Sequence, residues 1–147
     1  MIKGIIFDWR GTLADRNHHP FPFTKKVLER LKVKYRLGLI SAAGKNNVSQ
    51  RKKILDSSDL LPLFDSVIVT ENKNEIHFLQ CMQELNIIPQ NTAIVDDRTI
   101  RGIKIGNKHG CQTYWIKKGF FENELPNAET GQPTQIIDTI EDLLKYL

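Results

Sequence analysis

The sequence predicts an α/β fold, three layers deep, with a parallel sheet between helices. Three observations carry the prediction. Short apolar runs recur along the chain without alternating with polar residues, as strands buried on both faces do. Amphipathic stretches at helical spacing lie between them. The two kinds of segment alternate in order, and right-handed crossovers then place helices on both faces of the sheet.

The elements follow one another along the chain. GIIFD (4–8) is an apolar strand that ends on a carboxylate, Asp8. FTKKVLERLKVK (23–34) is a helix with Val27, Leu28 and Leu31 on one stripe and basic residues opposite. RLGLIS (36–41) is the second strand. NNVSQRKKILDSS (46–58) is a weaker helix with Val48, Ile54 and Leu55, and its basic run reads as a solvated face, with an anion patch as the alternative. DSVIVT (65–70) is the third strand, and NEIHFLQCMQELNI (74–87) a helix with Ile76, Leu79, Met82 and Leu85 inward. NTAIVDD (91–97) is the fourth strand. RTIRGIKIGNKHG (98–110) is a glycine-weakened helix stopped by Gly110. QTYWIK (112–117) is the fifth strand. In TQIIDTIEDLLKYL (134–147) a short strand precedes a helix with Ile140, Leu143, Leu144 and Leu147 inward. The polar segment 117–133 carries Phe120 and Phe121; it reads as a surface connection, with a lid or partner contact as the alternative.

At 147 residues the chain suits one domain, 1–147, because two would each be thin in core. Its net charge of +4 comes from scattered lysines and arginines, without the basic cluster and exposed aromatics of a nucleic-acid footprint. Cys81 and Cys111 have no metal-type or CxxC spacing and read as reduced thiols. The opening residues do not form a signal peptide, and no run reaches the ~20 apolar residues of a membrane span. A cytoplasmic protein that is not membrane-inserted is expected.

Open sheets of this type bind ligands at the carboxyl ends of their strands, where strand order reverses. Those ends carry Asp8, then Ser41 with Ala42, Ala43 and Gly44, then Thr70 with Lys73 just beyond, then Asp96 and Asp97. Singly, each also reads as a cap, a turn or a solvated charge. Together, the carboxylates call for a hard oxygen-ligated cation such as Mg²⁺. Ser41, Lys73 and the backbone N–H groups after Ser41 suit phosphate oxygens.

This order of motifs resembles the haloacid dehalogenase (HAD) superfamily, whose members are mostly Mg²⁺-dependent phosphatases on a Rossmann-like core. FDWRGTLAD matches its first motif through Asp8, Gly11, Thr12 and Leu13; LGLISAAGK matches the second through Ser41; TENKNEIHFLQCM matches the third through Lys73; AIVDD matches the fourth. The resemblance implies a nucleophilic Asp8 that forms an aspartyl-phosphate. It implies Mg²⁺ held by Asp8, the Arg10 carbonyl and the Asp96–Asp97 pair, chiefly Asp97. It implies that Ser41, Ala42 and Lys73 hold the phosphoryl group of a small phosphorylated substrate. Only 33 positions separate Asp8 from Ser41 and 32 separate Ser41 from Lys73, too few for the large cap that many members carry. A homo-oligomer, in which a second subunit closes the open site, is one way to cover it.

Three positions depart from the family pattern. Arg10 stands where the phosphatases place a second aspartate as general acid and base, and a guanidinium stays protonated in proteins. Arg101 stands where many members have an acidic residue that anchors the metal, with Arg98 beside the aspartate pair, and the usual proline after the lysine is Asn74. DWRGT is close to the DWAGT of phosphonoacetaldehyde hydrolases, relatives that also lack the second aspartate but carry a cap. Three readings follow: a hydrolase acting on a phosphorylated substrate with altered acid–base chemistry; an impaired, phosphate-binding pseudo-phosphatase in which Arg10 pairs with Asp8 or with phosphate; and a protein-interaction domain. His18 and His19 read as loop residues, His77 as half-buried, His109 as a helix-end cation and Trp9 as core or site wall.

Overall fold

The computed structural model describes residues 1–147. Six parallel strands form one sheet: β1 (Gly4–Phe7), β2 (Arg36–Ala42), β3 (Ser66–Thr70), β4 (Thr92–Asp96), β5 (Gln112–Ile116) and β6 (Gln135–Ile137). Their order is β3-β2-β1-β4-β5-β6, so the chain reverses direction across the sheet between β1 and β4. Phe7 pairs with Leu39 on one side and Val95 on the other. Asp8, Ser41 and Asp96 therefore leave three adjacent strands at nearly the same level, at the reversal point.

The helices are α1 (Thr24–Lys32), α2 (Val48–Asp56), α3 (Glu75–Glu84), α4 (Lys104–His109) and a short α5 (Leu143–Tyr146). Pleating sorts the strand side chains into two cores. Ile5, Phe7, Leu37, Leu39, Ala93 and Val95 face Val27, Leu28 and Leu31 of α1 and Leu143 of α5. Ile6, Ile40, Ile68 and Ile94 face Phe78, Cys81, Met82 and Leu85 on the α3 side. Both faces are apolar, which is why the strands lack alternation.

Two expected details are corrected. The buried stripe of α3 is Phe78, Cys81, Met82 and Leu85, with Ile76 and Leu79 exposed. Steps of three and four keep the first set on one face, whereas an unbroken step of three drifts around a helix with 3.6 residues per turn. The helix after Asp97 begins as a wide π-helical turn, Thr99–Ile103, before α4, and ends at Gly110 in the left-handed region. No helix of the chain is long and apolar enough to cross a membrane.

Candidate active site

The turn after β1 explains the glycine that follows Asp8. The Trp9 carbonyl accepts from the N–H groups of Thr12, Leu13 and Ala14, and Gly11 N–H donates to the Ala14 carbonyl at 2.7 Å. Gly11 has φ +87 and lies against the Asp97 carboxylate, where a Cβ would collide with the oxygen. The turn thus needs glycine for its conformation and for its closeness to β4. Trp9 is fully buried core, and its indole Nε1 donates to His18 Nδ1 at 3.2 Å.

Lys73 answers for the carboxylate at the end of a buried strand. Its Nζ donates to Asp8 Oδ1 at 2.6 Å and lies 3.6 Å from Asp96 Oδ2. Thr12 Oγ1 donates to Asp8 Oδ2 at 3.4 Å. The segment before α3 aims the lysine: Asn74 N–H donates to His77 Nδ1 at 3.0 Å, and His77 Nε2 lies 3.2 Å from Thr70 Oγ1. Asn74, in place of the family's proline, thus ties the head of α3 to the end of β3.

Three carboxylates meet here. Single oxygens of Asp8, Asp96 and Asp97 lie within 4.8 Å of one another. Burial, then the charges of Asp8 and Asp96, push the Asp97 carboxyl up to about 9. Burial raises Asp96 as well, against the pull of Lys73. Burial alone would lower the Lys73 ammonium, yet Asp8 and Asp96 outweigh it and hold it above its usual range. Such a crowd of hard oxygen donors fits a Mg²⁺-type cation, which would relieve their repulsion. The two aspartates of β4 differ. Asp96 is fully buried and accepts from the backbone N–H groups of Arg98 and Gly102, at 3.0 and 3.1 Å. Asp97 lines the cleft with Asp8, and its carbonyl accepts from Trp115 Nε1 at 3.0 Å.

The cleft over Asp8 has a volume of ≈ 240 Å³, and Arg10, Arg51, Arg98, Arg101 and Phe121 all line it. Arg51 is the functional candidate that sequence reasoning missed, because the basic run of α2 read as a solvated face. Its guanidinium is buried and donates from one nitrogen to Ser41 Oγ at 2.6 Å and to the Ala42 carbonyl at 3.1 Å. Its signal was present: Arg51 stands four residues before Leu55, on the apolar stripe of α2. Ser41 itself is fully buried beneath this guanidinium. Of the N–H groups after Ser41, expected to face a phosphate, those of Ala43 and Gly44 donate instead to the carbonyls of Thr70 and Glu71. They are tied up because β2 runs one step further alongside β3, and Arg51 supplies free N–H groups in their place.

Arg10 reaches the cleft but pairs with nothing. It makes no side-chain hydrogen bond or ion pair, so the expected alternative of an Arg10–Asp8 pair is absent; Lys73 holds that position. Burial and the nearby Arg10 charge lower the Arg51 guanidinium, while Asp8 raises it. Burial, then the Arg51 and Arg10 charges, likewise lower His18.

Segment 117–133 is more than a surface connection. The Glu124 carboxylate accepts from Arg98 Nε at 3.0 Å, from Thr99 Oγ1 at 3.2 Å and from Ile100 N–H at 3.3 Å. Arg98 lies over the Phe121 ring at 3.9 Å, and Arg16 over the Phe120 ring at 3.6 Å. Phe121 thereby becomes a wall of the cleft. Arg98 faces the site with its charge already answered by Glu124.

Residues 1–116, which carry every part of this site except Phe121 and Glu124, match the family model described as haloacid dehalogenase-like hydrolase. The chain belongs to that family. This haloacid dehalogenase-like hydrolase is similar to a glyceraldehyde 3-phosphate phosphatase of Methanopyrus kandleri, at 22% identity over 139 residues. That match covers 86% of this chain and 58% of the relative, so the hydrolase spans under two thirds of that protein's length. Among solved structures it resembles a HAD phosphatase from Thermococcus onnurineus, with a TM-score of 0.78 and 16% identity, over 99% of this chain and 97% of that one. It also resembles an L-2-haloacid dehalogenase from Xanthobacter autotrophicus, with a TM-score of 0.80 and 11% identity, over 99% and 98% of the two chains. At these identities the solved structures speak for the fold.

Proposed function

We propose that this chain is a Mg²⁺-dependent hydrolase of small phosphorylated molecules, with Asp8 as nucleophile, built on one core domain spanning 1–147 without a large cap. The observation that carries the reading is the meeting of three strand-end carboxylates with one buried lysine: Asp8, Asp96 and Asp97 within 4.8 Å of one another, and Lys73 on Asp8 at 2.6 Å.

In this reading an Asp8 carboxylate oxygen attacks phosphorus and forms an aspartyl-phosphate, which water then hydrolyses. Lys73 holds Asp8 and neutralises charge as the phosphoryl group arrives. Arg51, seated on Ser41 and the Ala42 carbonyl, offers one of its two remaining nitrogens to phosphoryl oxygens. Mg²⁺ would be held by Asp8, Asp97 and the Arg10 carbonyl, with Asp96 anchoring Lys73 behind them, and when bound it would draw charge from the phosphoryl oxygens. Arg10 replaces the general acid and base with a fixed positive charge.

The test is uptake of beryllium fluoride, a mimic of the acyl-phosphate, followed by fluorine NMR in Mg²⁺. A bound signal is expected for the native chain and none for Asp8→Asn. No Asp8-dependent signal would overturn the reading. The unpaired Arg10 favours a second reading, a phosphate binder without turnover. That reading requires phosphate binding that survives EDTA, with no hydrolysis of any phosphorylated compound.

A further inference from the structure

We propose that the substrate is an acyl phosphate, whose leaving group departs as a carboxylate anion received by Arg10 and Arg51. This rests on the reading that Asp8 is the nucleophile, and adds the substrate class.

Arg10 has no proton to give to a leaving group. An alkyl phosphate ester leaves as an alkoxide, the conjugate base of an alcohol about as weakly acidic as water. It therefore needs a general acid on the leaving-group side of Asp8. At the family's position for that acid stands a guanidinium, which has no proton to give. No other acid lines the cleft in that place: Asp97 sits among the carboxylates, Glu71 accepts the Asn46 N–H at 2.6 Å, and His18, whose Nδ1 accepts from Trp9, is outside the lining. A carboxylate is different. Its conjugate acid has a pKa of about 4, so it leaves without a proton at neutral pH.

The cleft also holds what such a leaving group needs. Arg10 lines it with no ion pair or side-chain hydrogen bond of its own. Arg51 spends one guanidinium nitrogen on Ser41 and Ala42, and its Nε and second terminal nitrogen have no protein partner. The two positive charges oppose each other across the same space, and an anion between them would relieve both. A planar guanidinium matches a carboxylate through two parallel hydrogen bonds. Size narrows the class further. At ≈ 240 Å³ the cleft lies below the ~300–1,000 Å³ of sites for drug-sized ligands, which fits a small acyl phosphate.

The step balances without an added acid or base. An Asp8 oxygen bonds to phosphorus, the bond between phosphorus and the acyl oxygen breaks, and its electron pair leaves on the carboxylate. Water then attacks the aspartyl-phosphate, the Asp8 oxygen departs as carboxylate, and both water protons remain on the released phosphate.

The experiment compares acetyl phosphate, pyrophosphate and glycerol phosphate in Mg²⁺, with spontaneous hydrolysis subtracted, for the native chain, Arg10→Gln and Arg10→Asp. General acid catalysis is worth ~10²–10⁴-fold, so native kcat/KM on acetyl phosphate should exceed that on glycerol phosphate by at least ~10²-fold. Arg10→Gln should lose at least tenfold on acetyl phosphate and gain nothing on glycerol phosphate. Arg10→Asp should lose on the first and gain at least tenfold on the second. Equal effects of Arg10→Gln on both compounds, native rates within tenfold of each other, or faster turnover of pyrophosphate than of acetyl phosphate would overturn the proposal. If Asp8 also fails to take up beryllium fluoride, the nucleophile reading has failed; if uptake occurs and discrimination is absent, only the substrate class has failed.

Discussion

Replacing Lys73 with methionine would remove the one cation seated among three carboxylates, of which Asp96 and Asp97 are buried. The ammonium lies 2.6 Å from an Asp8 oxygen and 3.6 Å from an Asp96 oxygen, with its side chain 1% exposed. At an effective dielectric of about 20 these separations correspond to attractions of about 6 and about 5 kcal/mol, before the cost of burying the ammonium is subtracted. Breaking a buried pair from one side leaves its partner uncompensated and typically costs about 3–5 kcal/mol. Lys73→Met should therefore lose about 3–5 kcal/mol in urea unfolding at pH 7 in EDTA. Mg²⁺ should restore more stability to the variant than it adds to the native chain, because it supplies the missing positive charge. In the double variant with Asp8→Asn, part of the loss should disappear, with an interaction energy of at least about 1.5 kcal/mol. A loss below about 1 kcal/mol in EDTA would refute the reasoning, since it would mean that the carboxylates do not depend on Lys73.

Two further outcomes follow from the same geometry. The Asp97 carboxyl is pushed up to about 9, above its ordinary 3.8, so its contribution to stability is complete below about pH 4 and is lost as pH rises through 9. Across pH 5–8 in EDTA, native stability should fall relative to Asp97→Asn by up to about 1.4 kcal/mol per pH unit, and Mg²⁺ should flatten the difference; parallel urea curves for the two proteins in EDTA would contradict this. Glu124→Ala releases the Arg98 guanidinium, the Thr99 hydroxyl and the Ile100 N–H together. Hydrogen exchange in segment 117–133 should then speed by roughly tenfold or more, with little change in β1–β4; unchanged exchange would show that the aromatic contacts alone hold the segment.

The site was only partly legible in the sequence, and the residues show why. Asp8, Lys73 and Asp97 could be placed because each sits where a strand or turn ends, and parallel topology sends all such ends to one edge. Arg51 was hidden because a basic residue on an amphipathic helix gives no sign of its direction until the helix is docked. The spent N–H groups of Ala43 and Gly44 were hidden for a related reason. Whether a backbone donor is free depends on how far the neighbouring chain runs alongside it, here β3 to Thr70 and one residue beyond it to Glu71.

By itself the sequence determined the alternation of strands and helices, the apolar content of both sheet faces, and the chemistry at each strand end, including an arginine that can give up no proton. These are local properties, written in spacing and residue type. Only the tertiary structure decided which charges meet. Lys73 is spent on Asp8 and Asp96, Arg98 on Glu124 and one nitrogen of Arg51 on Ser41, while Arg10 and Arg101 line the cleft without an ion-pair or hydrogen-bond partner. The physical reason is that electrostatic energy depends on separation and burial, and residues as distant in sequence as Asp8 and Lys73 acquire both only when the sheet forms.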